Sequence, residues 1–152
     1  KNFQYVLCRR LRGATAGKLE KEKLMTDIAI TQDIAQTLYK NKANHILALD
    51  VRELTVICDY MVIASGRSAS QVKALADEVD DRMAQLGYAP RRTEGQGEGR
   101  WIVMDYGHIM VHIFHQEERQ FYNIERLWRN GGSYRPKPQE PEGENKQSDD
   151  NE

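Results

Sequence analysis

Two short apolar runs, ILALDV at 46–51 and YMVIA at 60–64, constrain the fold more than any other feature of the chain. Each has strand length, and neither alternates polar with apolar residues. Both faces of each strand must therefore be covered. A single layer cannot do that, so the chain needs helices packed on a sheet. Ile30, Ile34 and Leu38 recur at helical spacing, with Asp33 near the start where the helix dipole favours an acid, and predict a helix over 31–42. The segment SGRSASQVKALADEVDDRMAQLG follows the second run. Ser68 with Gln71 makes a capping-box pattern. Val72, Leu75, Ala76, Val79, Met83 and Leu86 mark one helical face, and Gly87 is the natural stop.

Further along, residues 89–93 read as a weak edge strand, because Pro90 cannot donate to a ladder. The loop EGQGEG comes next, then strands at 100–105 and 109–115 joined by a tight Tyr106–Gly107–His108 turn. Alternation puts Ile102 and Met104 on one face of the first of these strands and Trp101, Val103 and Asp105 on the other. A last helix is predicted over 117–129, with Phe121, Ile124, Leu127 and Trp128 on its apolar side. Ile102, Val111, Ile113, Phe121, Ile124 and Leu127 are expected in the core. This order of elements predicts a single α/β (α+β) domain, a mixed sheet with packed helices.

The chain's 152 residues suit one domain. A mean hydropathy of -0.73 points to solvated ends. The net charge of -1 gives the whole chain no electrostatic footprint for nucleic acid. The charge is uneven: residues 1–24 carry a net +5 and residues 135–152 a net -3. The expected organisation is a leader at 1–24 without a fold, a folded domain at 25–130, and a disordered acidic tail at 131–152 containing Pro136, Pro138 and Pro141. Cys8 and Cys58 do not read as a disulfide framework, which favours a reducing, cytoplasmic location. No apolar run approaches the roughly 20 residues of a membrane span. The leader has its apolar patch before its arginines, the wrong order for a signal peptide.

Catalytic patterns are weak. SGRS opening a helix after a strand, with Asp77 and Asp105 following, could suggest nucleotidyl transfer. Two-metal chemistry needs converging carboxylates, however. Asp77 lies mid-helix away from the apolar stripe, and Val103 stands where a partner acid for Asp105 would be. EGQGEG carries acids that repel phosphate and lacks the Lys and Ser/Thr of a phosphate loop. His108 and His112 share a strand face while His115 lies on the other, without the third or fourth donor a metal requires. No catalytic residue, cofactor or metal ligand is expected. The aromatic and basic set is more suggestive: Trp101, Tyr106, Phe114, Arg119, Phe121, Tyr122, Arg126 and Trp128 include the residue types enriched at binding hot spots. Trp101, flanked by Arg100 and followed by Asp105 and Tyr106, reads as an interface anchor.

LALDVREL, CDYMVIASGRSASQVKALADEV, Glu94–Gly95, WIVMDYG, VHIF and RQFYNIERLW, in this order, resemble the ribosomal silencing factor S (Iojap) family over about residues 30–130. The resemblance implies a nucleotidyltransferase-like domain that has lost its catalytic acids. It implies binding to the large ribosomal subunit through its fourteenth ribosomal protein. A domain bound there would block joining of the small subunit and repress translation when nutrients are scarce. Organellar relatives act in large-subunit assembly, so an assembly factor touching ribosomal RNA is the alternative, and a nucleotidyltransferase a weaker one. Position by position, Trp101 matches the family's interface tryptophan, with Arg100, Met104, Asp105 and Tyr106 expected on or beside the same surface. Arg119 and Tyr122 match its R-x-x-Y, in support or contact, and His112 a strand histidine assigned to structure. Ile124 stands where the family often has Leu. The Trp101 face could also self-associate into a homodimer when no ribosome is present.

Overall fold

The computed structural model describes the backbone of residues 17–128 and 132–134 and the side chains of residues 26–128. Ten elements follow in order: α1 (Gly17–Lys40), β1 (Asn44–Asp50), β2 (Tyr60–Gly66), α2 (Ala69–Gln85), β3 (Arg92–Glu94), β4 (Trp101–Asp105), β5 (Ile109–His115), α3 (Gln116–Tyr122), a 3-10 helix (Ile124–Trp128) and β6 (Gly132–Tyr134). They form one mixed sheet in the order β3-β4-β5-β2-β1-β6. The central β2 and β5 run parallel, from Tyr60 beside Ile109 to Gly66 beside His115. The other pairings are antiparallel.

Every residue of β2 is buried, as its unbroken apolar run requires. One face carries Val62, Ala64, Ile102, Met104, Val111 and Ile113 against α1 and α2. The other gathers Leu47, Leu49, Val51, Cys58, Met61, Ile63 and Phe114, with Ile124, Trp128, Trp101 and Met110 packed beside them.

The α2 boundaries follow the sequence closely. The Ser68 side chain accepts from the Gln71 backbone N–H at 3.1 Å, and Gln71 Oε1 accepts from the Arg67 N–H at 2.7 Å. This is a capping box whose return bond lands one residue early. At the other end the Tyr88 N–H reaches Met83 O, the Gly87 N–H reaches Ala84 O, and Gly87 has φ +87°. That pair of bonds is a Schellman motif.

Three boundaries differ from expectation. Helix α1 begins at Gly17, inside the segment expected to carry no fold; residues 1–16 lie outside the described part. β6 lies inside the expected tail and pairs with Ala48–Asp50 of β1; residues 135–152 are outside the described part. The predicted helix over 117–129 is broken at Asn123, which adopts φ 41°, ψ 51° and donates its N–H to Arg119 O. The chain then tightens into the 3-10 helix, so residues 121, 124, 127 and 128 no longer share a stripe. Ile124 and Trp128 turn onto the sheet, while Phe121 is 81% exposed and Leu127 69% exposed, correcting their assignment to the core. Among the described residues no helix is long and apolar enough to cross a membrane.

Two glycines separate backbone strain from steric clash. A Cβ on Gly87 meets no atom within 4 Å, but one on Gly95 (φ +85°) falls 1.8 Å from the Trp101 carbonyl oxygen. Gly87→Ala should therefore lower stability by ~1–2 kcal/mol, the left-handed strain alone. Gly95→Ala should cost clearly more, because the β3–β4 loop must also move off Trp101. Urea unfolding of both variants checks this; equal losses would contradict it.

Candidate partner-binding surface

The α1–α2 layer covers one face of β1, β2, β4 and β5. On the other face, the described chain after β5 covers β1 and β2 with Ile124 and Trp128 and leaves β4 and β5 only partly covered. The exposed part of this face presents Trp101, Val103 and Asp105 from β4 and Met110 from β5, all half-buried. Trp101 is held from three sides. Its Nε1–H donates to His112 Nδ1 at 3.1 Å. Its ring stacks on Phe114 at 4.8 Å between centroids and meets Tyr122 at 4.9 Å. Phe121 then meets Tyr122 edge-on at 5.0 Å. The aromatic series runs from fully buried Phe114 through half-buried Trp101 to Tyr122, 49% exposed, and Phe121 at its outer end.

His112 is 7% exposed. Because Nδ1 accepts from Trp101, the ring proton of the neutral form sits on Nε2, which has no hydrogen-bond partner among the described residues. Burial pushes the His112 pKa down to about 4. The same side chain thus fixes the Trp101 rotamer and resists becoming a cation.

The remaining polar residues expected at this site do structural work. The Arg100 guanidinium bridges Glu118 and Glu117, with Nε to Glu118 Oε1 at 2.7 Å and Nη2 to Glu117 Oε2 at 3.2 Å. These contacts fasten the start of α3 to the edge of β4 beside Trp101. Asp105 Oδ1 accepts from the Gly107 N–H at 2.8 Å and stabilises the turn before β5. It sits four strand residues from Trp101, about 13 Å away. Arg119 is only 11% exposed; its Nε pairs with Glu125, and its Nη1 reaches Asn44 O and Ser65 Oγ. It ties α3 to β1 and β2.

Two expectations need correction. Met104 is 1% exposed and lies under the helices, on the face opposite Trp101. Tyr106 packs against the same helix-side core, and its hydroxyl is buried without a partner among the described residues; burial pushes its pKa well up. Strand alternation dictates the first result, since 101 and 104 differ by an odd number. The structure thus brings together Trp101, Arg100 and Tyr122, leaves Asp105 at the far end of β4, buries Met104 on the opposite face, packs Tyr106 against the helix-side core, and engages Arg119 with Glu125, Asn44 and Ser65. Phe121, which belongs to the aromatic set but whose helical spacing also suggests core, lies exposed at the outer end of the strip. Reading the sequence passed over Val56 and Ile57, which are 104% and 71% exposed between β1 and β2.

Catalytic groups fare poorly in this geometry. Asp77 is exposed on α2, on the opposite side of the sheet from the Asp105 side chain. Burial pushes the Cys58 thiol up to about 11, so it stays protonated and weakly nucleophilic at neutral pH. Among the described residues, Asp27, Asp59 and His108 bring donor atoms within 4.8 Å of one another, and His108 Nδ1 lies 3.0 Å from Asp59 Oδ2. These are half-exposed or exposed side chains, and the contact between His108 and Asp59 is a hydrogen bond.

The fold and the site define a class: a single α+β domain with a mixed sheet, one face sealed by helices and the other offering a fixed aromatic strip. The family model described as "Ribosomal silencing factor during starvation" (RsfS) matches residues 25–152. The chain is 38% identical to the ribosomal silencing factor RsfS of Bacillus subtilis over 68% of its own length and 88% of that protein's. It is 41% identical to the RsfS of Zymomonas mobilis over 62% of its length and 71% of that protein's. A crystal structure of a Chromobacterium violaceum protein superposes with a TM-score of 0.65 at 33% identity, covering 72% of this chain and 88% of that one. The chain belongs to the RsfS family.

The buried imidazole makes stability depend on pH. The ordinary histidine value is 6.5, and the folded value is about 4. The unfolded chain therefore takes up the proton first as pH falls. The contribution is complete above about 6.5 and is lost progressively from there down to about 4, up to ~3 kcal/mol in all. His112→Gln keeps an acceptor for Trp101 and removes the titration. Unfolding free energies measured from pH 7.5 to 4.5 should fall less steeply for the variant; parallel curves would show that His112 is not the cause.

Proposed function

We propose that this chain is a ribosomal silencing factor acting without turnover, by steric antagonism. It binds the large ribosomal subunit through the fourteenth ribosomal protein and blocks association with the small subunit, repressing translation under nutrient limitation in the cytoplasm. The observation that carries the protein-docking part is the Trp101 strip. A large aromatic side chain is held in one rotamer by His112, Phe114 and Tyr122 and left half open to solvent. Aromatic anchors of this kind carry much of the energy of protein interfaces. Membership of a family described as silencing factors supports the choice of the ribosome as partner. The separation of Asp77 from Asp105 by the sheet supports a role without catalysis.

Arg100 enters this reading as the residue that sets α3, and hence Tyr122, beside Trp101. Trp101→Ala should weaken co-sedimentation with purified large subunits by about 2 kcal/mol, roughly thirtyfold. Trp101 also packs on Phe114, so Tyr122→Ala, an exposed truncation, accompanies it. The expected result is weakened binding by both variants with circular dichroism unchanged. Wild-type co-sedimentation of both would sink the assignment. Binding that instead collapses steeply with added salt and persists without the fourteenth protein would favour an RNA-binding assembly factor.

The half-open apolar strip supports a second state, a homodimer of the free protein closed over Trp101. Light scattering of the free chain should show a dimer that Trp101→Ala shifts to monomer. A wild-type monomer at high micromolar concentration would exclude that state.

A further inference from the structure

At the end of the sheet away from the Asp105 turn lies an open cavity of about 590 Å³, which the docking strip does not use. It sits where the parallel strands β2 and β5 end, between the start of β1 and helix α3. Crevices outside the carboxyl ends of parallel strands are where open α/β sheets take ligands, and the volume suits a small molecule.

The wall is polar and carries spare donors. Arg119 is 11% exposed and lines the cavity; Nε and Nη1 are engaged, but Nη2 has no hydrogen-bond partner among the described residues. Arg67 also lines it, and among the described residues its guanidinium has no ion-pair partner. Glu125 is the acid in the wall, and Arg119 already neutralises it. The lining therefore has one formal positive charge in excess, with Gln116 and Gln120 offering further amide donors. The second cavity, between α1 and α2, is the reverse: Asp33, Glu78 and Asp81 outnumber Lys40 and Arg82.

The backbone around the cavity is unusual as well. Three described non-glycine residues have positive φ, and two of them, His45 (φ 48°) and Asn123 (φ 41°), line it. His45 lies where the β1–β2 register slips between Asn44 and Leu47. Bulges and left-handed residues of this kind gather at ligand sites, where they re-aim side chains and carbonyls. Here Asn44 O accepts from Ser65 Oγ at 3.1 Å and from Arg119 Nη1 at 3.4 Å, which holds the guanidinium at the cavity wall.

We propose that this cavity binds a phosphate group, with Arg67 and the free Nη2 of Arg119 as its cationic donors. Planar guanidinium forks match phosphate oxygens. The group could belong to a free nucleotide or to an RNA backbone, and the probes separate the two. Neither requires catalysis, since no carboxylate pair converges at the cavity.

Isothermal titration of the intact chain with ADP, without metal, and with a uridine 12-mer RNA tests this, alongside Arg67→Gln and the control Lys40→Gln from the second cavity. Arg67 is exposed, so its substitution should leave the fold intact, and thermal melting verifies that. The expected result is saturable one-to-one binding of at least one probe, weakened at least tenfold by Arg67→Gln and unchanged by Lys40→Gln. ADP binding with that pattern identifies a nucleotide site, and RNA binding alone with that pattern identifies a backbone contact. The proposal is overturned if neither probe binds saturably, if Arg67→Gln binds like wild type, or if Lys40→Gln loses binding equally.

Discussion

The parallel pairing of β2 with β5 sets the terms for everything around it. Parallel neighbours cannot be joined by a tight turn; the chain must leave the sheet and return. Here the excursion is α2 followed by β3 and β4, so the most regular helix and the strand carrying Trp101 both belong to one crossover. The pair also places the strand ends, the start of α2 and the start of α3 at one edge of the molecule. β2 is buried along its whole length, so the sheet needs cover on both sides. The chain provides that cover unequally.

On one side two helices of 24 and 17 residues are available. On the other, the described chain offers a seven-residue helix and a five-residue 3-10 helix. That is enough to seal β1 and β2 through Ile124 and Trp128, but it leaves the β4–β5 half partly open. The half-buried state of Trp101 follows from this shortage of cover. The polar residues nearby hold the short pieces in place: Arg100 fastens the start of α3 through Glu117 and Glu118, and Arg119 fastens its end through Glu125, Ser65 and Asn44. Charges spent within the domain in this way leave the strip itself aromatic and apolar.

The regular parts of this structure could be read from residue spacing because the physics there is local. The two apolar runs became β1 and β2, the stripe from Val72 to Met83 became the buried face of α2, and Ser68 and Gly87 bound it. Alternation along β4 correctly separated Trp101 from Met104, and the same rule removes Met104 from a shared surface with Trp101. The last helix was not legible. Its apolar spacing is helical, and only the left-handed turn at Asn123 breaks it. A single Asn inside RQFYNIERLW does not announce such a turn, because Asn also occurs within helices. The exposure of Phe121 and Leu127 depends on that one residue. The role of Arg119 was equally hidden, since its partners at 44 and 65 meet it only once the chain is folded.

What the fold contributes to recognition is order imposed in advance. A tryptophan free to rotate on an open strand would give up rotamer entropy on binding, ~0.5–1.5 kcal/mol for an immobilised side chain. Trp101 has already given it up: the bond to His112 and the stack on Phe114 were formed when the domain folded. His112 suits this task because its own burial keeps it neutral, so the acceptor at Nδ1 persists through the physiological pH range. A carboxylate there would bring an uncompensated charge under the strip, and an aliphatic residue would leave the indole N–H without a partner as a docking protein excluded water from it. The strand histidine is structural in its contacts, and through them it determines what the surface can present.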